Sequence, residues 1–142
     1  MIRTRVVVGS LLALAAGGVL VGDAYLAPWF PCLFACLVLL GLLAGRELVR
    51  LLPEPWRPDE LLTVSGILLC VAANWYPTAR VELGHPGGSA WGAVVAAFTA
   101  TVLAGFLLEM RRYTGDPGRA VPRIAATAFG VAYLGVLPSF FA

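Results

Sequence analysis

The chain contains five long runs of uncharged residues, and these runs limit what it can fold into more than any other feature. The last run follows Arg123 and continues for 19 residues to Ala142. As a helix, with a rise of about 1.5 Å per residue, it would be about 28 Å long, close to the thickness of the hydrocarbon core of a bilayer. Its apolar residues are not confined to one stripe, so water on one side is not expected. The pattern predicts a membrane-spanning helix over 124–142.

The other four runs repeat this design. Asp23 is the only charge between Val6 and Gly45, which predicts two helices joined by a tight turn. Only 13% of the residues are charged and 60% are hydrophobic, whereas soluble domains have about 25% charged residues. A signal peptide is the alternative for the first run. We predict an all-α polytopic membrane protein, a single helical region over 1–142 with about five transmembrane helices and short loops, at about 6–22, 26–45, 61–79, 89–108 and 124–142.

All ten basic residues are arginines, and they are distributed unevenly over the polar segments. The N-terminal head, the segment after the second helix and the loop after the fourth helix have two, three and four arginines, whereas the opposite side has Arg80 alone. Because basic residues accumulate in cytoplasmic loops, this bias predicts a multi-pass protein of the cell inner membrane with a cytoplasmic N-terminus. The net charge of +2 does not favour a nucleic acid as partner, and no nucleic-acid motif is present.

The loop after the fourth helix is the most basic segment. Its arginines can be ordinary anchors on the cytoplasmic side, or they can attract an anionic lipid head group or a nucleotide phosphate. The second interpretation makes membrane lipids and nucleotides candidate partners. The four arginines are Arg111, Arg112, Arg119 and Arg123.

Few residues have the chemistry of a metal or redox site. Cys32 and Cys36 lie four residues apart and could bind a metal or form a disulfide, but no histidine or carboxylate is near them in the sequence. We therefore interpret them, like Cys70, as small packing residues. His85 is the only histidine, and Glu82 is its only near partner in a glycine- and proline-rich loop. A plain loop histidine is the better interpretation than a ligand or a base.

No catalytic pattern is recognisable. Glu47 could be a catalytic carboxylate, but it is spaced to form an ion pair with Arg50 on one helical face. No glycine-rich phosphate loop, carboxylate pair or Ser/His/Asp set is present. We assign no catalytic, cofactor-binding or metal-binding residue from the residues alone.

Small residues recur in the last run. Ala126 and Gly130 are four apart and Gly135 follows, a spacing that lets another helix approach closely. Tyr133 lies between the two glycines, and its hydroxyl needs a partner if it is buried. Pro138 predicts a kink or an early end of this helix.

Three stretches of the chain carry a resemblance to a known family: the opening RTRVVVGSLLAL, the end of the second helix over Gly45–Leu51 (GRELVRL) and the closing Ala125–Gly135 (AATAFGVAYLG). They are similar to segments of the N-terminal part of bacterial phosphatidate cytidylyltransferase (CDP-diacylglycerol synthase). The resemblance implies transfer of CMP from CTP to phosphatidate, with release of pyrophosphate and with magnesium as cofactor.

The family's catalytic signature is absent from this chain. It comprises a Ser, Lys-Arg and Lys-Asp pairs, His-Gly-Gly and Asp-Arg-x-Asp, whereas His85 is followed by a proline before its two glycines. No catalytic or metal residue is therefore carried over. We expect the chain to be the N-terminal portion of a longer protein, inactive alone. The alternatives are a non-enzymatic membrane subunit, a transporter fragment, or a scaffold that only packs or forms a homodimer.

Overall fold

The computed structural model describes residues 2–27, 29–85, 88–113, 115 and 117–140. These residues form helices and turns without a β-strand, which confirms the all-α prediction. The chain divides into two compact units, which we call the N-terminal unit, Met1–Cys36, and the main unit, Leu37–Ala142.

The N-terminal unit is a helical hairpin. Helix α1 covers Ile2–Ala24, and α2 begins at Pro31 and continues to Leu51 in the main unit. The second helix was predicted to begin at about residue 26, and α2 begins five residues later. Pro31 suits the first position of a helix because the amide of that position has no intrahelical partner. Within this hairpin, a Cβ at Gly9 or Gly17 would meet no atom within 4 Å, so these two glycines make no close helix contact among the described residues.

Four further helices follow in the main unit. A 3₁₀ turn, Glu54–Trp56, precedes α3, and the last helix continues as a π-helical turn, Ala132–Val136, and a 3₁₀ turn, Leu137–Phe140. Pro138 therefore lies in irregular helix, and the last helix continues to Phe140. The helices are α3 (Glu60–Ala73), α4 (Tyr76–Glu82), α5 (Ala90–Arg112) and α6 (Pro117–Val131).

Several helices are longer than the uncharged runs that predicted them. Helix α2 ends at Leu51 rather than at 45, and α5 ends at Arg112 rather than at 108. Arginines in the last turn interact favourably with the negative end of the helix dipole, so these ends tolerate charge. Helix α2 stops just before Pro53, which cannot continue it. A gap in charge therefore marks the apolar middle of these helices, not their ends.

The predicted single helix over 61–79 is wrong. Helix α3 ends at Ala73, and α4 starts at Tyr76 with its axis bent by 51°. Pro77 explains the break, because it has no amide hydrogen and its ring would clash with the carbonyl of Ala73 in a continuous helix. The Asn74 side-chain amide donates to the carbonyls of Cys70 and Val71 (3.4 and 3.2 Å), which satisfies acceptors at the end of α3.

Three helices among the described residues are long and apolar enough to cross a membrane. The bent α3–α4 pair is a fourth if it counts as one span, while the apolar part of α1, Gly9–Ala24, is shorter. The composition and these lengths make the chain a membrane protein with three or four candidate spans. These spans are Pro31–Leu51, Ala90–Arg112, Gly118–Phe140 and the pair Glu60–Ala73 with Tyr76–Glu82.

Helix α3 lies at the centre of the main unit. Ile67 and Cys70 of α3 are fully buried together with Val94 of α5 and Val131 of α6. The buried positions of α3 cover a broad face of that helix, whereas those of α2 form a narrow stripe.

Glycines bring the neighbouring helices close to α3. A Cβ at Gly130 would lie 3.0 Å from Leu48 Cδ2 and 3.3 Å from Thr63 Cγ2, and one at Gly135 would lie 3.0 Å from the Cβ of Cys70. The prediction that these two glycines permit close helix contact is confirmed. On α2, Gly41 and Gly45 face α3 in the same way.

Tyr133 forms no hydrogen bond to another helix among the residues that the structure describes. The residue is 54% exposed, and its ring stacks on that of Phe129, with centroids 5.7 Å apart. A partner for the Tyr133 hydroxyl was expected only if the side chain is buried, and it is not buried.

Candidate functional site

The polar side chains of the main unit converge at one end of its helices. We call this set the polar network. It joins the N-terminus of α3, the C-terminus of α5 and the first half of α6, and it consists of Asp59, Glu109, Arg112 and Arg123. Asp59 is its best-connected member. Its Oδ1 accepts a hydrogen bond from the amide of Leu62 (3.0 Å), which caps α3, and its Oδ2 accepts one from Arg112 Nη1 (3.0 Å).

Both contacts act on the Asp59 carboxylate. The hydrogen bond from the Leu62 amide has the largest effect and lowers the pKa of Asp59. Partial burial raises the pKa, and the contact with Arg112 lowers it. The net result is a pKa below the usual 3.8. Asp59 is therefore ionised at neutral pH. It fixes the start of α3 and the end of α5 with the same side chain.

Arg123 forms the second connection. Its Nε donates to the carbonyl oxygen of Pro55 (3.1 Å), and its Nη1 lies 4.0 Å from Glu109 Oε2. The Glu109 side chain is mostly buried and the Arg123 side chain is partly buried. This contact attaches α6 both to α5 and to the turn before α3.

A hollow of about 370 Å³ lies within this network. Its charges balance, so it does not favour an anion over a cation. The carboxylates at its wall do not fit a magnesium ion: Asp59 and Glu109 are each paired with an arginine, and no three His, Cys, Asp or Glu side chains in the described part of the chain are grouped to hold a metal. The charged residues that line it are Arg57, Arg112, Arg123, Glu54, Asp59 and Glu109.

From the sequence, the four arginines are either anchors on one side of a membrane or a set that attracts an anion. The structure brings Arg112 and Arg123 together in the hollow, but each is engaged by a carboxylate, and Arg111 and Arg119 are exposed outside it. The sequence analysis missed the two acidic members of the network. Asp59 could have been found, because an aspartate directly before an apolar run is a typical N-cap; Glu109 had no comparable signal.

The other candidate residues do not form a site. The predicted Glu47–Arg50 ion pair is not among the ion pairs of the described residues, and the neighbouring Arg46 pairs with Glu60 instead (3.1 Å). His85 is exposed, and its Nδ1 lies 3.0 Å from the carbonyl oxygen of Leu83.

The cysteines are free thiols. Cys32 and Cys36 are exposed on α2, and Cys70 is buried in the core of the main unit. Cys32 has a different role through its backbone: its amide and that of Leu33 donate to Oδ1 and Oδ2 of Asp23, at 3.0 and 2.7 Å. The buried Asp23 therefore caps α2 from the end of α1, a role that its position in a predicted turn did not reveal.

Smaller contacts join the helices at the opposite end of the main unit. Asn74 Nδ2 donates to Ser139 Oγ (2.9 Å), and the rings of Trp91 and Phe140 meet edge to face with centroids 4.5 Å apart. The C-terminus of α3, the N-terminus of α5 and the end of the last helix therefore lie together.

Comparisons of the chain with protein-family models, with curated proteins and with solved structures found no match.

Proposed function

We propose that this chain is a membrane-embedded helical scaffold with five spans, including α1, and that its polar network lies at the cytoplasmic surface of the cell inner membrane. The observation that carries the proposal is the sorting of polar contacts to the two ends of the main unit. Asp59–Arg112 and Arg123–Pro55 lie at one end. The Asn74–Ser139 contact lies at the other.

The sorting agrees with the distribution of arginines. Three helix ends meet at the polar network, and they come from the two loops that the arginine bias assigns to one side of a membrane. In such an arrangement, the α3–α4 pair, α5 and the last helix each run from one side to the other. The ion pairs then hold the cytoplasmic ends of the helices, where charge is tolerated, and the glycines hold the apolar middle.

Reporter fusions test the proposed topology. A reporter that distinguishes the cytoplasm from the exterior, fused after Arg57 or Arg112, is expected to give a cytoplasmic signal, and one fused after Gly84 an external signal. Extraction of the membrane fraction with alkaline carbonate serves as a control for integral insertion. A cytoplasmic signal at Gly84 would contradict the five-span arrangement.

A second proposal concerns enzymatic activity and comes from the resemblance. We propose that the scaffold serves a phosphatidate cytidylyltransferase, which transfers CMP from CTP to phosphatidate. Two stretches that carry the resemblance, 45–51 and 125–135, are in contact, since a Cβ at Gly130 would lie 3.0 Å from Leu48 Cδ2. This contact supports a shared structural role for the two stretches. Since the described residues do not fit magnesium, no catalytic step is assigned to them.

The enzymatic proposal is tested in cells that express the natural gene. Their membranes are expected to form CDP-diacylglycerol from labelled CTP and phosphatidate with magnesium, above a control from cells that lack the gene. If they do not exceed the control, the enzymatic proposal fails and the scaffold proposal is unaffected.

A further inference from the structure

An open groove of about 450 Å³ lies between α2 and α3 and shares no lining residue with the hollow of the polar network. We call it the α2–α3 groove. Its apolar walls are formed by Leu42 of α2 and by Leu61, Val64 and Leu68 of α3. Leu61 is largely exposed and Val64 is nearly buried, so the groove has an outer rim and a closed floor.

The glycines of α2 determine the depth of this groove. Gly41 and Gly45 contact Ile67 of α3 so closely that a Cβ would lie 3.1 and 2.9 Å from its side chain. The next residues along the helix surface, Leu42 and Arg46, then line the groove beside this contact. The groove follows α3 from Glu60 to Leu68, about 12 Å along the helix, which is most of the ~15 Å depth of one bilayer leaflet.

At the charged end of the groove, only part of the Arg46 guanidinium is hydrogen-bonded. Arg46 donates through Nε to Glu60 Oε1 (3.1 Å), while its two terminal amino groups have no partner among the described residues. The side chain is 54% exposed. A guanidinium binds the oxygens of a phosphate through its terminal amino groups, so Arg46 can hold a phosphate without giving up Glu60.

We propose that the α2–α3 groove binds one anionic phospholipid, with an acyl chain along Leu61, Val64 and Leu68 and the phosphate at Arg46. The charge of Arg46 is complementary to the phosphate, and the apolar walls continue from it towards the middle of the membrane. The inference rests on the membrane location proposed above and is independent of the cytidylyltransferase activity. The occupant is a lipid of the surrounding bilayer and is not consumed.

The test is native mass spectrometry of the detergent-solubilised chain, titrated with phosphatidylglycerol or with phosphatidylcholine of the same acyl chains. The wild-type chain is expected to retain one phosphatidylglycerol in preference to phosphatidylcholine. Arg46→Gln should lower the affinity for phosphatidylglycerol about fivefold, the effect of one basic residue near a lipid surface. Arg46→Lys should retain most of it.

Two further variants separate a built groove from general attraction to basic residues. Arg50→Gln is the matched control, because Arg50 is exposed on the same helix but does not line the groove; it should leave the affinity unchanged. Glu60→Gln removes the competing carboxylate and should increase the affinity, a gain that a folding defect cannot produce. Ser65→Leu fills the groove with a residue suited to membrane helices and should lower the affinity severalfold.

Three results would overturn the proposal. They are equal retention of the two lipids by the wild-type chain, an equal loss in the Arg46→Gln and Arg50→Gln variants, and a loss of affinity in Glu60→Gln. Carbonate extraction of each variant shows separately whether the chain is inserted in the membrane. A chain that resists extraction but shows no lipid preference refutes the groove alone.

Discussion

The contact between α3 and α5 allows a test in which the same substitution has opposite signs at two glycines. Gly66 of α3 faces Thr101 of α5, and a Cβ there would overlap the Thr101 methyl group and lie 3.0 Å from its Oγ1. Gly105 of α5 is also buried, but a Cβ there would lie 3.6 Å from Leu62 Cδ2 and 3.8 Å from Thr127 Cγ2, which is ordinary van der Waals contact.

The magnitudes follow from two competing terms. Alanine is favoured over glycine in a helix interior by about 0.5–1 kcal/mol, and this gain applies at both positions. At Gly66, overpacking costs about 1–3 kcal/mol, because α3 and α5 must separate or Thr101 must leave its position. We therefore expect Gly66→Ala to destabilise the folded chain by about 0.5–2 kcal/mol and Gly105→Ala to stabilise it by up to about 1 kcal/mol.

The measurement is the thermal midpoint of the purified chain in detergent, followed by circular dichroism. A second substitution identifies the cause. Thr101→Ser removes the methyl group but keeps a hydroxyl that can donate to the carbonyl oxygen of Ala97, a bond of 2.8 Å in the wild type. In the Gly66→Ala background it should restore most of the lost stability. The reasoning is refuted if Gly66→Ala is as stable as Gly105→Ala, or if Thr101→Ser restores nothing.

Three further predictions concern other contacts, and the same measurement tests them. Asp59→Asn keeps the cap of α3 but removes the charge that pairs with Arg112, so near neutral pH we expect a loss of about 0.2–1 kcal/mol. Folding lowers the pKa of Asp59. The stability that the wild type has over Asp59→Asn is therefore fully present above the usual pKa of 3.8 and is lost as the pH falls through the lowered pKa. Parallel curves of thermal midpoint against pH for the two proteins would contradict this. Gly130→Leu should lower the midpoint by overpacking, at a cost of about 1–3 kcal/mol, whereas the volume-conserving Leu134→Ile should change it much less; the reverse order would place Gly130 on the lipid side. Tyr133→Phe should leave the midpoint nearly unchanged because the side chain is exposed, and a clear loss would indicate a hydrogen bond of its hydroxyl that the structure does not show.

The sequence predicted the class of fold because membrane-spanning helices have a strong local signature. A run of about twenty uncharged residues needs no tertiary information to be recognised. The ends of the helices were less well predicted, since Arg50 and Arg112 continue helices whose uncharged runs end several residues earlier. The break at Ala73 was missed because 61–79 contains no charged residue, so the charge pattern gives no sign of the bend that Pro77 causes.

The polar network could not be predicted from the sequence as a unit. Asp59 and Arg112 are 53 residues apart, and Arg123 meets a backbone carbonyl 68 residues away. The charge pattern predicts which loops share one side of a membrane, but it contains no information on which side chains meet. The arginines that appeared free to bind an anion in the sequence are partly neutralised by carboxylates that only the folded chain brings to them.

The π-helical turn at Ala132–Val136 has a consequence for the phase of the last helix. Thr127, Val131 and Gly135 are buried at intervals of four residues, and Ser139 continues the series to its bond with Asn74. On a regular α-helix, a series with this interval rotates by about 40° at each step and soon leaves the contact face. A turn with one extra residue reverses that rotation. Deletion of a single residue within this turn would rotate Ser139 away from Asn74. The number of residues between Val131 and Ser139 is therefore constrained by this contact.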